Sequence, residues 1–103
     1  ARLELQSLRS ALRRDADAAA FARGLSRLLR RFALARFPRQ QVAGLTGTDW
    51  LAFLDANGGG GRFAKGPGRL LTEAPYRSAG DIPAEELAEL AGAWIARNAE
   101  MQS

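Results

Sequence analysis

The sequence predicts an all-α fold: a small helical bundle of three longer helices and one or two short helices, with a Gly-rich loop. Apolar residues recur at helical spacing in three separate segments, and no segment alternates apolar and polar residues long enough to indicate a β-strand. The chain has 103 residues, 47% of them apolar and 25% charged, which is the balance of an ordinary globular domain. We therefore expect residues 1–103 to form a single helical domain.

The first helix is predicted from a stripe of leucines near the N-terminus. Leu5, Leu8 and Leu12 are spaced three or four residues apart and therefore share one face. Asp15 and Asp17 follow, and a carboxylate at such a position can accept a hydrogen bond from the free N–H groups that begin a helix. These two residues predict the end of the first helix and the N-cap of the second.

The second helix is the longest in the prediction and the most clearly amphipathic. Gly24 interrupts it at a cost of about 1 kcal/mol relative to alanine, which indicates that a neighbouring helix crosses closely there. Pro38 disfavours helical geometry at Phe37 and should end the helix at that point. The apolar stripe consists of Phe21, Leu25, Leu28, Leu29 and Phe32.

A corner and a short helix follow. The segment RQQVAGLTG suffices for one helical turn, closed by Gly44, and Thr48 is the expected N-cap of a short helix with the sequence DWLAFLDA. Asn57 and Gly58 should end that helix in a left-handed conformation. This outline resembles a DNA-reading helix-turn-helix, but residues 48–55 offer aspartates and bulky apolar groups instead of cations or amides for base edges. We therefore interpret the corner as packing a short aromatic helix onto the second and last helices.

The remaining chain is predicted to contain a loop and the last helix. Residues 57–68 include six glycines and predict a mobile loop. They do not form a phosphate-binding loop, since Lys65 is followed by neither serine nor threonine and no strand precedes it. A short turn is expected at Leu70 and Leu71, and Asp81 marks the start of the last helix. Its apolar stripe consists of Leu87, Leu90, Ala91, Trp94 and Ile95.

The composition excludes most catalytic chemistry. The chain has neither cysteine nor histidine, so disulfides, thiolate metal sites and the commonest general base are absent. Glu85, Glu86 and Glu89 are better explained as a solvated face that complements the dipole of the last helix than as an acid–base pair or metal site. We expect no catalytic site, no metal site, no cofactor and no small-molecule substrate.

Positive charge is concentrated at the N-terminal end. Residues 1–39 hold ten arginines and three acidic residues, a balance of +7, whereas residues 40–103 have a balance of −3. Such asymmetry indicates nucleic acid, an anionic membrane surface or an acidic protein as partner. Equally, an amphipathic helix needs a charged outward face whether or not it binds anything. The predicted partner- or lipid-facing basic patch consists of Arg13, Arg14, Arg23, Arg27, Arg30 and Arg31.

Three segments, LLRRFALARFPRQQVAGLTGTDWLAFLD, GPGRLLTEAPYR and WIAR, resemble in this order a family of small bacterial proteins with no established enzyme activity. Members of that family are encoded beside a MoxR-type AAA+ ATPase and von Willebrand factor A domain proteins, in operons sometimes called aerotolerance operons. The residues that carry the resemblance are Arg31, Pro38, Gly44, Leu45, Gly47, Trp50, Leu54, Leu71, Pro75, Tyr76 and Trp94.

The resemblance implies a domain on the cytoplasmic face of the bacterial inner membrane, preceded in a longer protein by one transmembrane helix. The chain itself holds no run of roughly 20 apolar residues, and arginines just after a span would satisfy the positive-inside rule. The implied function is a non-enzymatic accessory or scaffold domain that binds the ATPase and von Willebrand proteins. The alternative is a small nucleic-acid-binding protein that sets its arginine-rich helix face against phosphates. Trp50 and Tyr76 are expected to hold the corner and the loop to the core.

Overall fold

Six helices and two short turns account for most of the residues that the structure describes. The structure is a computed structural model and describes residues 2–73 and 83–100. Within these ranges it contains no β-strand, and the predicted all-α fold is confirmed. The helices are α1 (Arg2–Asp15), α2 (Ala18–Arg36), α3 (Arg39–Val42), α4 (Gly47–Leu54), α5 (Leu70–Glu73) and α6 (Ala84–Glu100). A wide turn, Asp55–Gly59, extends α4, and a 3₁₀ turn, Pro67–Arg69, leads into α5.

Helix α2 lies at the centre and packs against both α1 and α6. Its predicted stripe is the buried face, since Leu25, Leu28 and Leu29 are almost inaccessible to solvent. Each such side chain contributes about 1.5–3 kcal/mol to folding when it leaves water, so α2 supplies much of the core. The stripe predicted for α6 is buried as well: Leu87, Leu90, Ala91, Trp94 and Ile95.

Helices α1 and α2 form an antiparallel hairpin with a two-residue link. Ala16 has a positive φ of 53°, and the carboxylate of Asp17 accepts a hydrogen bond from the Ala20 N–H at 3.0 Å. The predicted N-cap is therefore confirmed. The predicted close crossing is confirmed too, because a Cβ added at Gly24 would lie 2.6 Å from Cδ2 of Leu8. The missing side chain lets α1 approach α2.

Helix α2 ends two residues before Pro38. Arg36 is its last residue, and Phe37 follows in an extended conformation with φ −119° and ψ 157°. The Phe37 N–H still donates to the carbonyl of Ala33 at 2.8 Å. Pro38 then forces the chain to leave the helix axis, which starts the corner that leads through α3 to α4.

The start of α4 differs from the prediction. We expected Thr48 to be the N-cap, and this is wrong: the N–H groups of Asp49 and Trp50 both donate to the carbonyl of Thr46, at 3.1 and 3.4 Å. The first backbone bonds of the helix therefore close two residues earlier, and Thr46 takes the N-cap position without a side-chain hydrogen bond. Gly47 permits this because its φ is +53°.

Aromatic side chains attach α4 to the rest of the bundle. The rings of Trp50 and Phe53 are stacked with centroids 5.8 Å apart, and Phe37 meets Phe53 edge to face at 5.1 Å. Trp94 of α6 lies beside Phe37 and donates from Nε1 to the carbonyl of Leu54 at 2.9 Å. The corner thus packs a short aromatic helix onto the second and last helices, as predicted.

The Gly-rich segment is folded around a buried phenylalanine. Phe63 is fully inaccessible to solvent and belongs to the core cluster. The carboxylate of Asp55 accepts hydrogen bonds from the N–H groups of Phe63 and Ala64 at 2.9 and 3.0 Å. This pair of bonds closes the segment back onto the end of α4. The mobility expected for residues 57–68 stays a prediction, but part of the segment contributes to the core.

Two residues of α6 hold the wide turn after α4. Arg97 donates to the carbonyl of Gly58 at 2.6 Å, and Asn98 donates to the carbonyl of Asn57 at 3.0 Å. The left-handed end of the helix was predicted at Asn57 and Gly58, yet Asn57 has a φ of −110°. The positive φ values belong to glycines, 117° at Gly58 and 62° at Gly60, because glycine lacks the Cβ that opposes them.

The roles predicted for Pro75, Tyr76 and Asp81 lie outside the described residues. Helix α6 begins at Ala84, and Glu85 and Glu86 occupy its first turn, where carboxylates complement the helix dipole. None of the helices within 2–73 and 83–100 combines the length and the apolar character needed to cross a bilayer.

Candidate functional site

Arg30 differs from the other arginines of the predicted basic patch. Its half-buried guanidinium donates from Nη1 to the carbonyl of Val42 at 3.2 Å and from Nη2 to the carbonyl of Leu45 at 2.7 Å. The same group lies 4.3 Å from the centroid of the Trp50 ring. Arg30 therefore fastens α2 to the corner and to α4. Both of its terminal nitrogens donate inside the molecule, and this gives Arg30 a structural role beside its place in the predicted patch.

Three arginines follow one edge of α2. Arg23, Arg27 and Arg31 are exposed and spaced four residues apart, so their Cα atoms are about 6 Å apart along the axis; we call them the arginine row. Arg31 forms an ion pair with Glu4 of α1. Within the described part of the chain, Arg23 and Arg27 have no hydrogen bond or ion pair. Two of the three guanidinium groups are thus open to an external anion.

Arg13 and Arg14 extend the basic surface toward the other end of the hairpin. Both are exposed in the last turn of α1, and Arg14 lies 3.5 Å from the carboxylate of Asp15. Such a surface ion pair is worth about 0–1 kcal/mol and does not occupy the guanidinium firmly. Because the hairpin is antiparallel and Glu4 contacts Arg31, these two arginines lie beyond the Arg23 end of the row.

A groove between α1 and α2 borders the arginine row. This hairpin groove has a volume of about 540 Å³. Its apolar part comes from the half-buried side chains of Leu8 and Leu34 and from the absence of a side chain at Gly24. The residues that line it are Glu4, Ser7, Leu8, Gly24, Arg27, Arg30, Arg31 and Leu34. An apolar floor beside a cationic edge suits a ligand that is itself both apolar and anionic.

A second groove, which we call the bundle groove, lies among α1, α2 and α6 and has a volume of about 740 Å³. Leu28, Phe32 and Ile95 contribute to its apolar lining, and the guanidinium of Arg36 lies 5.1 Å from the Phe32 centroid. The side chains of Glu4 and Arg31 line both grooves. The Glu4–Arg31 ion pair therefore lies between the hairpin groove and the bundle groove.

The groups on this surface suit binding. Guanidinium groups recognise carboxylates and phosphates through paired N–H donors in a fixed planar geometry. The described residues contain no group of three or more carboxylates placed to hold a metal ion. Glu85, Glu86 and Glu89 are exposed along the start of α6, as predicted for a solvated face. The arrangement supports recognition of an anionic ligand along the α1–α2 hairpin.

Residues 1–97 match the profile of a protein family described as Domain of unknown function (DUF4381). The chain belongs to this family. No curated protein and no solved structure is significantly similar to it. In this DUF4381 domain the matched range spans the whole hairpin, the aromatic corner and most of α6, so both grooves lie almost entirely within the part that defines the family.

Residues that carried the resemblance serve mainly to build the DUF4381 fold. Trp50, Leu54 and Trp94 are each at most 1% exposed and meet at the corner, while Gly47 supplies a positive φ at the start of α4. Pro38 and Gly44 are exposed on the same corner, as the connections into and out of α3 require. These residues explain why the corner forms, and they are not candidates for ligand contacts.

Sequence reasoning missed the structural roles of Asp55, Phe63 and Arg30. For Asp55 a signal existed, since a carboxylate directly before a run of glycines is a frequent acceptor for turn N–H groups. For Arg30 the acceptors lie 12 and 15 residues further along the chain, and helical periodicity carries no information about such contacts. Phe63 stands alone among glycines, where no periodic pattern identifies it as core.

Proposed function

We propose that this DUF4381 domain is a non-enzymatic accessory domain that binds other proteins of a membrane-associated assembly. The resemblance described above supports a MoxR-type ATPase and von Willebrand factor A domain proteins as the partners. In the proposal a longer protein carries the domain on the cytoplasmic face of the bacterial inner membrane. The basic surface of the hairpin contacts anionic lipid headgroups or an acidic face of a partner.

The observation that carries this proposal is the arginine row. Arg23 and Arg27 project from α2 without an internal partner in the described chain, and Arg31 is held in place by Glu4. Cations repeated at one-turn intervals produce a directional positive field, which speeds the encounter with anionic partners and sets their orientation. The apolar stripe of α2 faces the core, whereas the arginine row faces outward and is free to bind.

The antiparallel hairpin gives each end of the basic surface a different neighbour. In the proposal a membrane segment precedes Ala1, so Glu4 and Arg31 lie nearest to the lipid. Anionic lipid attracts an arginine by about 1 kcal/mol, and this attraction decays within a Debye length of about 8–10 Å. Arg13 is farther than that, since the nine residues from Glu4 span about 14 Å of helix. Arg13, Arg14 and Arg23 therefore belong to the protein-facing end.

The same arginines support nucleic-acid binding as a second candidate. That function predicts an affinity that falls with salt, with a log–log slope of about −0.9 for each phosphate contacted. One feature of the surface favours a protein ligand instead: the apolar side chains of Leu8 and Leu34 in the hairpin groove offer nothing to a sugar–phosphate backbone.

Fractionation of the full-length protein from its source cells tests the proposal. We expect the protein to sediment with membranes through both high-salt and alkaline washes, and to bring the ATPase and von Willebrand proteins with it after mild detergent extraction. An Arg23→Ala, Arg27→Ala double variant should stay in the membrane but lose these partners, whereas Arg62→Ala, which removes an exposed arginine from the Gly-rich segment, should keep them. A full-length protein that remains in the soluble fraction contradicts the proposal, and salt-sensitive binding to duplex DNA would then favour the second candidate.

A further inference from the structure

We infer that the hairpin groove binds an amphipathic helix of another protein whose apolar stripe is flanked by carboxylates. This inference rests on the proposed accessory function, since it names the chemistry of one protein partner. It uses the groove between α1 and α2, the arginine row along one edge and the exposed N-terminal turn of α1.

The charges of the groove fit acidic side chains at helical spacing. The guanidinium groups of the arginine row begin about 6 Å apart along α2, which is also the rise between residues four apart on a ligand helix. A ligand that runs beside α2 can therefore set successive carboxylates against Arg27 and Arg23. Each exposed pair of this kind contributes up to about a fivefold gain in affinity, so charge orients the ligand more than it holds it.

The floor of the groove supplies the apolar contact. Leu8 and Leu34 are half-buried against the core cluster, with part of each side chain left at the surface. On α1, Leu3 lies four residues before Ser7 and therefore on the same face, and it is 79% exposed. An exposed leucine beside a half-covered apolar floor lengthens the surface that one ligand helix can bury.

The dimensions of the groove suit a short helix. Its lining residues on α2 run from Gly24 to Leu34, which corresponds to about 15 Å or about three helical turns. Recognition of helices in such grooves uses apolar anchors at i, i+4 and i+7. A ligand of about three turns can place its anchors against Leu8 at one end and against Leu3 and Leu34 at the other, while its carboxylates face the arginine row.

A second copy of the chain does not supply this ligand. The acidic helix of the domain is α6, with exposed Glu85, Glu86 and Glu89 in its N-terminal half. However, its leucines are part of its own core, since Leu87 and Leu90 are only 1% and 3% exposed. The folded domain therefore cannot present carboxylates and an apolar stripe together on α6, and the ligand belongs to a different protein.

The shape of the groove favours a helix over a bilayer. A bilayer surface contacts side chains that protrude, whereas Leu8 and Leu34 are half-buried and line a depression between two helices. The ridge of a helix is convex and fills such a depression. Of the apolar residues considered, only Leu3 protrudes enough to enter lipid, which is too little to anchor the hairpin.

The test is a titration of the 103-residue chain with a designed peptide. Binding is monitored by the changes in the amide NMR chemical shifts of the chain. The peptide is a helix-stapled segment of about three turns with leucines at i, i+4 and i+7 and glutamates along the one side of the stripe that faces α2. Stapling is needed because an isolated helix of this length is marginal in water. A second stapled peptide has the same composition and charge, but its leucines are dispersed around the helix.

We expect saturable binding of the first peptide, with shifts concentrated at Ser7, Gly24, Arg27 and Leu34. Arg27→Glu should weaken binding by about tenfold, because it removes one pair and adds repulsion. Arg13→Glu makes the same charge change outside the groove lining and should weaken it by less than about threefold. Leu34→Ser should weaken binding by about tenfold without changing its salt dependence.

Three outcomes overturn the inference. Equal affinity for both peptides would mean that the surface binds anions without recognising an apolar stripe. Chemical-shift changes centred on the bundle groove would mean that the peptide binds there instead of in the hairpin groove. No saturable binding to either peptide, together with tight binding to vesicles that contain anionic lipid, would assign the surface to the membrane. In each case the fractionation experiment still decides the proposed function, so the two can fail separately.

Discussion

Replacing Arg30 by alanine tests whether this arginine of α2 contributes to the free energy of unfolding. The substitution removes two hydrogen bonds from a charged donor to the carbonyls of Val42 and Leu45 and one cation–π contact with Trp50. A hydrogen bond to a charged group is worth about 1.5–3 kcal/mol net, and the cation–π contact about 0.5–2 kcal/mol. Because Arg30 is only half-buried, water can replace part of each contact. We therefore expect a loss of about 2–4 kcal/mol.

The assay is urea unfolding at neutral pH, followed by tryptophan fluorescence, with thermal unfolding as a second measurement. For a domain of this length each kcal/mol shifts the midpoint temperature by about 4–8 °C, so we expect a decrease of about 8–32 °C. Arg27→Ala is the matched control on the same helix, and it should change stability by at most about 0.5 kcal/mol. Arg30→Lys should fall between the two, since lysine keeps the charge but loses the planar fork.

The reasoning is refuted if Arg30→Ala and Arg27→Ala have the same free energy of unfolding. That result would mean that the corner is held by its aromatic packing alone and that Arg30 is available to a partner. A loss confined to Arg30→Ala, with Arg30→Lys equal to the native chain, would instead indicate that charge without directed hydrogen bonds is sufficient.

Three further predictions concern the corner and the Gly-rich segment. Trp50→Ala should cost about 3–5 kcal/mol, because it empties a fully buried aromatic site, and circular dichroism should show partial or complete loss of the folded state. Asp55→Ala should cost about 1.5–3 kcal/mol through the lost acceptors for Phe63 and its neighbour, with Asp55→Asn less severe; urea unfolding measures both. Gly68→Ala should cost about 1–3 kcal/mol of stability, because the added Cβ would lie 2.8 Å from the Cα of Phe63. At Gly44 an added Cβ meets no atom within 4 Å, so Gly44→Ala should be neutral or stabilising by up to about 1 kcal/mol.

Each of these has a result that contradicts it. A Trp50→Ala variant with a native near-ultraviolet spectrum and unchanged melting would show that α4 is not needed for the core. If the Phe63 amide exchanges as slowly in the Asp55→Ala variant as in the native chain, the Asp55 carboxylate is not needed to hold the turn. Equal stability of the Gly68→Ala and Gly44→Ala variants would mean that the packed segment yields to an added methyl group without cost.

The helices could be predicted from the sequence because each depends on neighbours a few residues away. The apolar stripes, the N-cap at Asp17, the break at Pro38 and the close crossing at Gly24 are all local patterns. The basic surface was predicted from the charge balance and from arginines that recur opposite the apolar stripe of the second helix. The fold brings two carbonyls to Arg30 and a carboxylate to Arg31, and these contacts decide which arginines stay open to a partner. The spacing of residues along α2 does not predict either contact.

Other errors have a similar physical cause. Thr48 and Thr46 are both acceptable N-caps by residue type, and the positive φ of Gly47 accompanies a helix start two residues earlier than the one expected at Thr48. Phe63 was assigned to a loop because glycines surround it. Its burial depends on Asp55, which closes the segment onto α4 from eight residues away.

The hydrogen bonds between α6 and the wide turn also bear on the order of folding. Trp94, Arg97 and Asn98 contact residues 39 to 41 positions earlier in the chain, whereas α1 and α2 need only a two-residue link. Closing a loop of that size costs about 3 kcal/mol from chain length alone, so we expect the hairpin to form early and α6 to dock late. During synthesis the ribosome therefore releases a hairpin and a corner whose apolar side is uncovered until α6 emerges. A chain shortened before Trp94 would keep its arginine row but lose the element that completes the bundle.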